Sequence, residues 1–522
     1  MNSAPATILD LAMLVALCVA IMAGVPVVFV LTGTAVLFGV LGILTGVFDP
    51  FLFGALAQRA FGTMTSEVLI AIPLFVYMGI MLERSKIAVE LLEAMGRLFG
   101  TVRGGLAVSV SIVGALLAAS TGIVGATVVT MGLIALPAML RRGYDPAFAC
   151  GSVCAAGTLG QIIPPSTVMV ILGEVLAAAY QQAQLAQGKF SIETVSVGEL
   201  FAGSMIPGLM LAGIYIVYQL VLCWWRPEAG PAIPRTEADG LTAAQIARAL
   251  VPPIVLIVAV LGSILGGIAT PTEAASVGAV GATLLAGLRA REDRPWPIYA
   301  AALAAAGMVV LGATFDMRLG RANPPPGDVY ATWAATACAL VLAWGIGVAL
   351  WRTFRTEVLH GTVRTTANVT AMIFATLIGA TVYSLVFRGL GGDEMIRDFL
   401  TSLPGGKWGA LLVVQAVVFV LGFPLDFVEI VIIMVPIVGP ILLQMDIDPI
   451  WLGVLFAMNL QTSFLTPPLG PTLFYLQGVV PPSVKTSDIY RGVTPFVILQ
   501  VIGLALVMAF PALATWLPGK LF

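Results

Sequence analysis

The chain alternates long apolar runs with short polar ones. A helix needs roughly 20 apolar residues to cross a bilayer. That rule selects twelve spans, at 8–23, 26–47, 66–84, 147–178, 200–224, 250–269, 272–289, 296–314, 330–352, 362–386, 450–478 and 492–517. Two further stretches are too long for one span. Residues 104–140 carry no charge, and 409–444 carry only Asp426 and Glu429. Each has turn-forming residues near its middle, Ser120-Thr121-Gly122 in the first and Gly422-Phe423-Pro424 in the second. Each therefore reads as a re-entrant hairpin of two half-length helices. Irregular backbone at that depth is tolerated only against protein or a watery cavity. The expected fold is an all-α polytopic membrane protein with about twelve transmembrane helices and two hairpins.

Composition agrees. Of 522 residues, 25 are Lys or Arg and 27 are Asp or Glu, so 10% are charged, against about 25% for a soluble domain. Hydrophobic residues make up 59% and the mean hydropathy is +1.03. These values exclude a soluble enzyme, a nucleic-acid binder and a disordered chain. The apolar runs do not alternate with period two, which excludes a porin-like barrel. The single histidine, His360, cannot build a histidine metal site or proton relay. Cys150 and Cys154 lack the spacing of a zinc or redox pair and read as packing residues. No basic region precedes the first apolar run, so no cleaved signal peptide is expected.

Lys and Arg in short loops mark the cytoplasmic side. Arg84, Lys86, Arg97 and Arg103 precede the first hairpin, and Arg141 and Arg142 follow it. Three further basic loops fall on the same side: Arg226, Arg235 and Arg248; Arg289, Arg291 and Arg294; and Arg352, Arg355 and Arg364. Lys485 and Arg491 return there. The loop 180–199, the segment around Asp446 and Asp448, and both chain ends fall outside. Two outer loops run against the rule, with Arg318 and Arg321 in one and Arg388 and Arg397 in the other.

An internal repeat organises the chain. Pro137 aligns with Pro440, Asp145-Pro146 with Asp448-Pro449, and Pro164-Pro165 with Pro467-Pro468, each pair 303 residues apart. Seven spans lie between the two hairpins, and an odd number inverts the second copy. Inverted repeats with interrupted helices are the sequence signature of secondary transporters.

Each copy follows its hairpin with a helix broken in its middle. The first break holds Thr158, Gly160, Pro164, Pro165 and Ser166; the second holds Asn459, Thr462, Ser463, Thr466, Pro467, Pro468 and Gly470. A Pro-Pro pair removes two backbone donors. The carbonyls upstream then need another partner, at a cost of several kcal/mol each in a bilayer if none is found. A sodium ion held by carbonyls and neutral side-chain oxygens meets that need, with Thr158, Asp426, Asn459 and Thr466 as candidate ligands. Half-helix N-termini after Pro165 and Pro468 turn partial positive charge toward an anion. Ser120, Thr121 and Gly122 complete the candidate ion- and substrate-binding set. Asp426 reads either as a sodium ligand or as a cap of the tip. Thr270-Pro271-Thr272-Glu273 reads as a helix cap, and Glu174 as an interfacial residue.

These residues resemble a known family. Leu136-Pro137-Ala138-Met139, Arg142-Gly143-Tyr144-Asp145 and Gln161-Ile162-Ile163-Pro164-Pro165-Ser166 are similar to the large membrane subunit of TRAP transporters. So are Thr270-Pro271-Thr272-Glu273-Ala274-Ala275, Ala71-Ile72-Pro73-Leu74-Phe75 and Thr466-Pro467-Pro468-Leu469-Gly470. The resemblance implies a sodium-coupled secondary importer of carboxylate-type organic anions in a bacterial inner membrane. It implies two partners, a small four-helix membrane subunit and a periplasmic substrate-binding protein. No small-subunit sequence is fused here, so that partner is expected as a separate chain. The resemblance also implies an elevator mechanism, with sodium as the coupling ion and no other cofactor. On it the chain divides into scaffold helices at 1–103, a first transport repeat at 104–199, scaffold helices at 200–406, a second transport repeat at 407–491 and a C-terminal helix at 492–522. Two departures stand out. The first hairpin tip has fewer hydroxyl and acidic residues than the family, with Ile123-Val124-Gly125 after Gly122. The chain is also longer than usual, with the excess in 179–199 and around 290–355, where 296–314 and 330–352 form two inserted spans. A stand-alone sodium–anion symporter of the same architecture is the alternative, ahead of a membrane-embedded enzyme or a channel.

Overall fold

A computed structural model of the chain describes residues 4–122, 124–232, 243–291, 293–318 and 325–522. At 4–5, 118–121 and 243 it describes the backbone alone. The side chains of Ser120 and Thr121, and the whole of Ile123, Arg235 and Arg321, therefore lie outside the described residues.

The described elements are helical. The first group is α1 (Ala4–Met22), α2 (Val27–Leu44), α3 (Leu56–Met64), α4 (Ala71–Arg84) and α5 (Ile87–Phe99). The first repeat follows as α6 (Gly105–Thr121), α7 (Val124–Arg141), α8 (Pro146–Thr158) and α9 (Thr167–Ala186). Next come α10 (Val197–Trp225), α11 (Ala243–Leu265), α12 (Pro271–Ala290), α13 (Trp296–Thr314), α14 (Pro326–Arg355), α15 (Val358–Leu390) and α16 (Gly392–Ser402). The second repeat is α17 (Lys407–Leu421), α18 (Phe427–Gln444), α19 (Pro449–Leu465) and α20 (Pro471–Gln477), and α21 (Thr486–Ala509) follows. Ten described helices are long and apolar enough to cross a membrane.

Several expectations are corrected. The hairpin limbs α6, α7 and α18 hold 17, 18 and 18 residues. At 1.5 Å per residue they are about 25–27 Å long, most of a bilayer core rather than half of it. Residues 83–103 are not a loop. Glu90, Glu93 and Arg97 fall on one face of α5, while Ile87, Ala88, Leu91, Leu92 and Met95 bury the other. Charge masked that amphipathic stripe. The first broken helix does not end at 178 but runs to Ala186, where Gln184 exchanges two 2.8 Å hydrogen bonds with the Glu193 backbone.

The helices pack as two groups. α4 lies against α12 and α15, with α2 on the far side of α15. In the second group α8 packs on α6, α7 and α21, and α10 packs on α6, α19 and α21. Thus α10, from the 200–406 segment, and α21, from the C-terminal segment, both lie against the broken helices. The α8–α21 crossing is close because both helices have glycine there. A methyl group on Gly151 would run into the Gly492 carbonyl, and one on Gly492 into the Ala147 carbonyl. Small residues that let backbones approach are the usual means of helix association in lipid.

Candidate functional site

The two copies begin alike. Asp145 caps α8 by accepting from the Phe148 N–H at 2.9 Å, and Asp448 caps α19 by accepting from the Trp451 N–H at 2.8 Å. Each cap is followed by Pro at the first helical position, where the missing N–H is not needed. The caps fix where each helix starts, and so where its break falls.

At the breaks the consequence of Pro-Pro can be assigned to particular atoms. A helical carbonyl finds its donor three or four residues on. For Gln161 those positions are Pro164 and Pro165; for Phe464 they are Pro467 and Pro468. Neither carbonyl has a backbone donor available, and the two residues are repeat equivalents. Among the described residues Gln161 O receives only the Ser166 hydroxyl at 3.4 Å. Gly470 passes so close to Phe464 O that no Cβ would fit there. The hydroxyls around the second break are already committed as donors. Thr462 donates to Met458 O at 2.8 Å, Ser463 to Leu460 O at 2.8 Å and Thr466 to Thr462 O at 2.7 Å. With its hydrogen turned back into the helix, each oxygen presents lone pairs only. The donor set is thus oxygen-only and uncharged, which fits a monovalent cation.

The two breaks meet. Gln461 Nε2 donates to Thr158 Oγ1 at 3.4 Å, and these residues are 303 apart. A residue touching its own repeat equivalent lies on a two-fold axis. Gln500 Nε2 joins the same hydroxyl at 3.3 Å from α21, and the Tyr215 hydroxyl lies beside all three. All four side chains are fully buried. Among the described residues, the carboxamide oxygens of Gln161, Gln461 and Gln500 have no protein partner. Buried polar atoms in that state are few in native proteins; these lie in and beside the broken helices, while Asp10, Thr366, Thr370 and Tyr383 carry others elsewhere.

Each hairpin tip closes on a break. Gly122, with φ +62°, stands against Thr167 at the start of α9, and Gly422 stands against Ser463 in α19. The outer halves are exchanged: α9 lies along α18 of the second hairpin, and α20 along α7 of the first. Gly125 faces the Tyr475 ring there, and Gly439 faces Ala179.

Other candidates have more local roles. Asp426 is exposed at the second tip and forms a reciprocal capping box with Glu429, whose carboxylate accepts from Asp426 N–H at 3.0 Å. Asn459 donates to Gln415 O at 2.6 Å and to Gln415 Oε1 at 2.7 Å, which ties α19 to α17. Gly160 sits in a 3-10 turn at Leu159–Gln161, and Ser166 is the N-cap residue of α9. α20 has only seven residues, too short for the expected N-terminal dipole; α9 has 20. Thr270 and Glu273 form the expected capping box, with Thr270 N–H donating to Glu273 at 2.8 Å. Glu174 accepts from Ser66 at 2.8 Å. The sequence candidates omitted the Gln161 and Phe464 carbonyls, although counting back three and four residues from Pro-Pro finds both. They also omitted Gln461, which the 303-residue repeat pairs with Thr158, and Gln500 and Tyr215, which no spacing points to.

Comparison with known proteins follows the same lines. The family described as tripartite ATP-independent periplasmic transporter, DctM component, matches residues 14–316 and 296–513. The C4-dicarboxylate TRAP transporter large permease protein DctM of Pseudomonas aeruginosa is 31% identical over 474 residues, 91% of this chain and 91% of that protein. Its namesake from Vibrio cholerae is 28% identical over 469 residues, covering 90% and 89%. Among solved structures, the YdaH transporter of Alcanivorax borkumensis shares the fold, with a TM-score of 0.56 at 14% identity and coverage of 90% and 89%. The family match runs through both repeats, its two segments overlapping at 296–316. The chain therefore belongs to the DctM family, the large permease component of tripartite ATP-independent periplasmic transporters, and is not an enzyme.

Proposed function

We propose that this permease imports a carboxylate-type organic anion coupled to sodium across a bacterial inner membrane. It works with a separate four-helix small subunit and a periplasmic binding protein that delivers the anion. One observation carries the sodium reading: Gln161 O and Phe464 O, equivalent in the repeat, are both stripped of backbone donors beside hydroxyls that present only lone pairs. Sodium at each break would be held by those oxygens, with Ser166 on one side and Thr462, Ser463 and Thr466 on the other. The α9 N-terminus supplies partial positive charge for a carboxylate. The substrate class is supported by relatives named for C4-dicarboxylates. The packing of α10 and α21 on the broken helices supports an elevator in which they travel with the hairpins against α1–α4 and α11–α15.

The test is uptake in proteoliposomes holding the chain, its small subunit and its binding protein. Replacing sodium with choline is expected to abolish accumulation; unchanged accumulation refutes the coupling. Accumulation without the binding protein refutes the tripartite reading in favour of a stand-alone symporter.

A further inference from the structure

A groove of about 790 Å³ runs between α11 and α13, with α12 as its floor. That volume is in the range of a small-molecule pocket, yet no residue of the breaks lines it. One wall is α13, through Ile298, Tyr299, Ala302 and Ala306. Arg248 and Arg289 line one end, and no Asp or Glu lines the groove. The rest is apolar apart from Ser276 and Tyr299. Arg289 is held in place by Glu90 at 2.7 Å and donates to Arg248 O at 3.3 Å. Arg248 is exposed and has no ion pair among the described residues. Arg291 and Arg294 follow in the next turn, where Arg352 donates to the carbonyls of Gly287, Arg291 and Arg294. By the distribution of Lys and Arg, this end is cytoplasmic. From Arg289 to Ser276 the floor runs about 20 Å at helical rise, longer than one leaflet of a roughly 30 Å core.

We propose that the groove binds an anionic glycerophospholipid of the inner leaflet, with its phosphate on Arg248 and Arg289 and an acyl chain along α12. With Arg289 already paired to Glu90, Arg248 supplies the charge that complements the headgroup, and basic pockets between membrane helices on the cytoplasmic side bind such headgroups. Helix α13 completes the site.

The test uses the full chain purified in detergent, with phosphatidylglycerol and phosphatidylcholine of identical acyl chains added separately. Retained lipid is counted by native mass spectrometry, and stability is read by thermal shift. Phosphatidylglycerol is expected to be held about tenfold more tightly, the scale of one charge-assisted hydrogen bond. Arg248→Gln is expected to remove that preference and leave equal weak binding. Ala306→Trp, which fills the groove from the exposed side of α13, is expected to remove both lipids without lowering the thermal midpoint of lipid-free protein. Equal retention of the two lipids by the unmodified chain overturns the proposal. So does phosphatidylglycerol retention untouched by either substitution. Displacement of the lipid by one equivalent of the small subunit also overturns it, by assigning the groove to a protein partner.

Discussion

Gly422→Ala isolates the contact between a hairpin tip and a break. Gly422 has φ −68°, in the right-handed helical region, so alanine brings no backbone strain and a better helix propensity. The whole effect is steric. A methyl group there would stand 2.7 Å from Ser463 Cβ and closer still to its hydroxyl. Ser463 cannot turn away cheaply, because its hydroxyl is bonded to Leu460 O and the residue is fully buried. Overpacking of this kind costs about 1–3 kcal/mol. If tip closure is coupled to ion binding, that cost becomes an affinity loss of roughly 5- to 150-fold. The assay is the sodium half-saturation of uptake in proteoliposomes, with sodium-dependent thermal stabilisation as the binding readout. Adding Ser463→Gly removes the obstructing atoms together with one proposed sodium ligand, so rescue is read as the melting temperature of sodium-free protein, expected to lie above that of Gly422→Ala alone. The interaction term of that double-mutant cycle isolates the contact. A Gly422→Ala protein with unaltered half-saturation and stability, or a double variant with no rescue, refutes the reasoning.

Thr466→Val keeps the shape of the second break but deletes an oxygen; it is expected to raise the sodium half-saturation while expression and melting temperature stay near those of the unmodified chain. Glu273→Ala removes half of a capping box far from the breaks, so it is expected to lower the melting temperature while leaving sodium dependence intact; the reverse pattern places Glu273 in the transport chemistry. Gly151→Ala sets a methyl group against the Gly492 backbone, which cannot rotate away, and is expected to cost several kcal/mol, read as loss of folded protein in detergent.

Most of the architecture was legible because bilayers impose a length rule and charge marks the loops. The repeat was legible because prolines and Asp-Pro caps are fixed by backbone geometry rather than by packing. α5 escaped because a surface helix carries charge on one face, so average hydropathy over 83–103 hides it. The limbs were underestimated because turn residues locate a tip but say nothing of how deep it lies. At the site, the hydroxyls and prolines were visible in sequence. The cluster of Thr158, Tyr215, Gln461 and Gln500 was not, since four residues from four helices meet only through tertiary packing. Asp426 reads from sequence as a sodium ligand or a cap, and in the structure it forms a capping box with Glu429.

Thr158 and Gln461 are one position of the repeat, occupied twice. On the axis a single volume is divided between them, one short side chain and one long. Two glutamines would crowd that volume, and two threonines would leave it underfilled. The two halves therefore cannot carry the same residue at this place, however similar they become elsewhere. Length given up by one copy has to be taken up by the other. Thr158→Gln made together with Gln461→Thr is accordingly expected to be tolerated better than either change alone, measured by melting temperature.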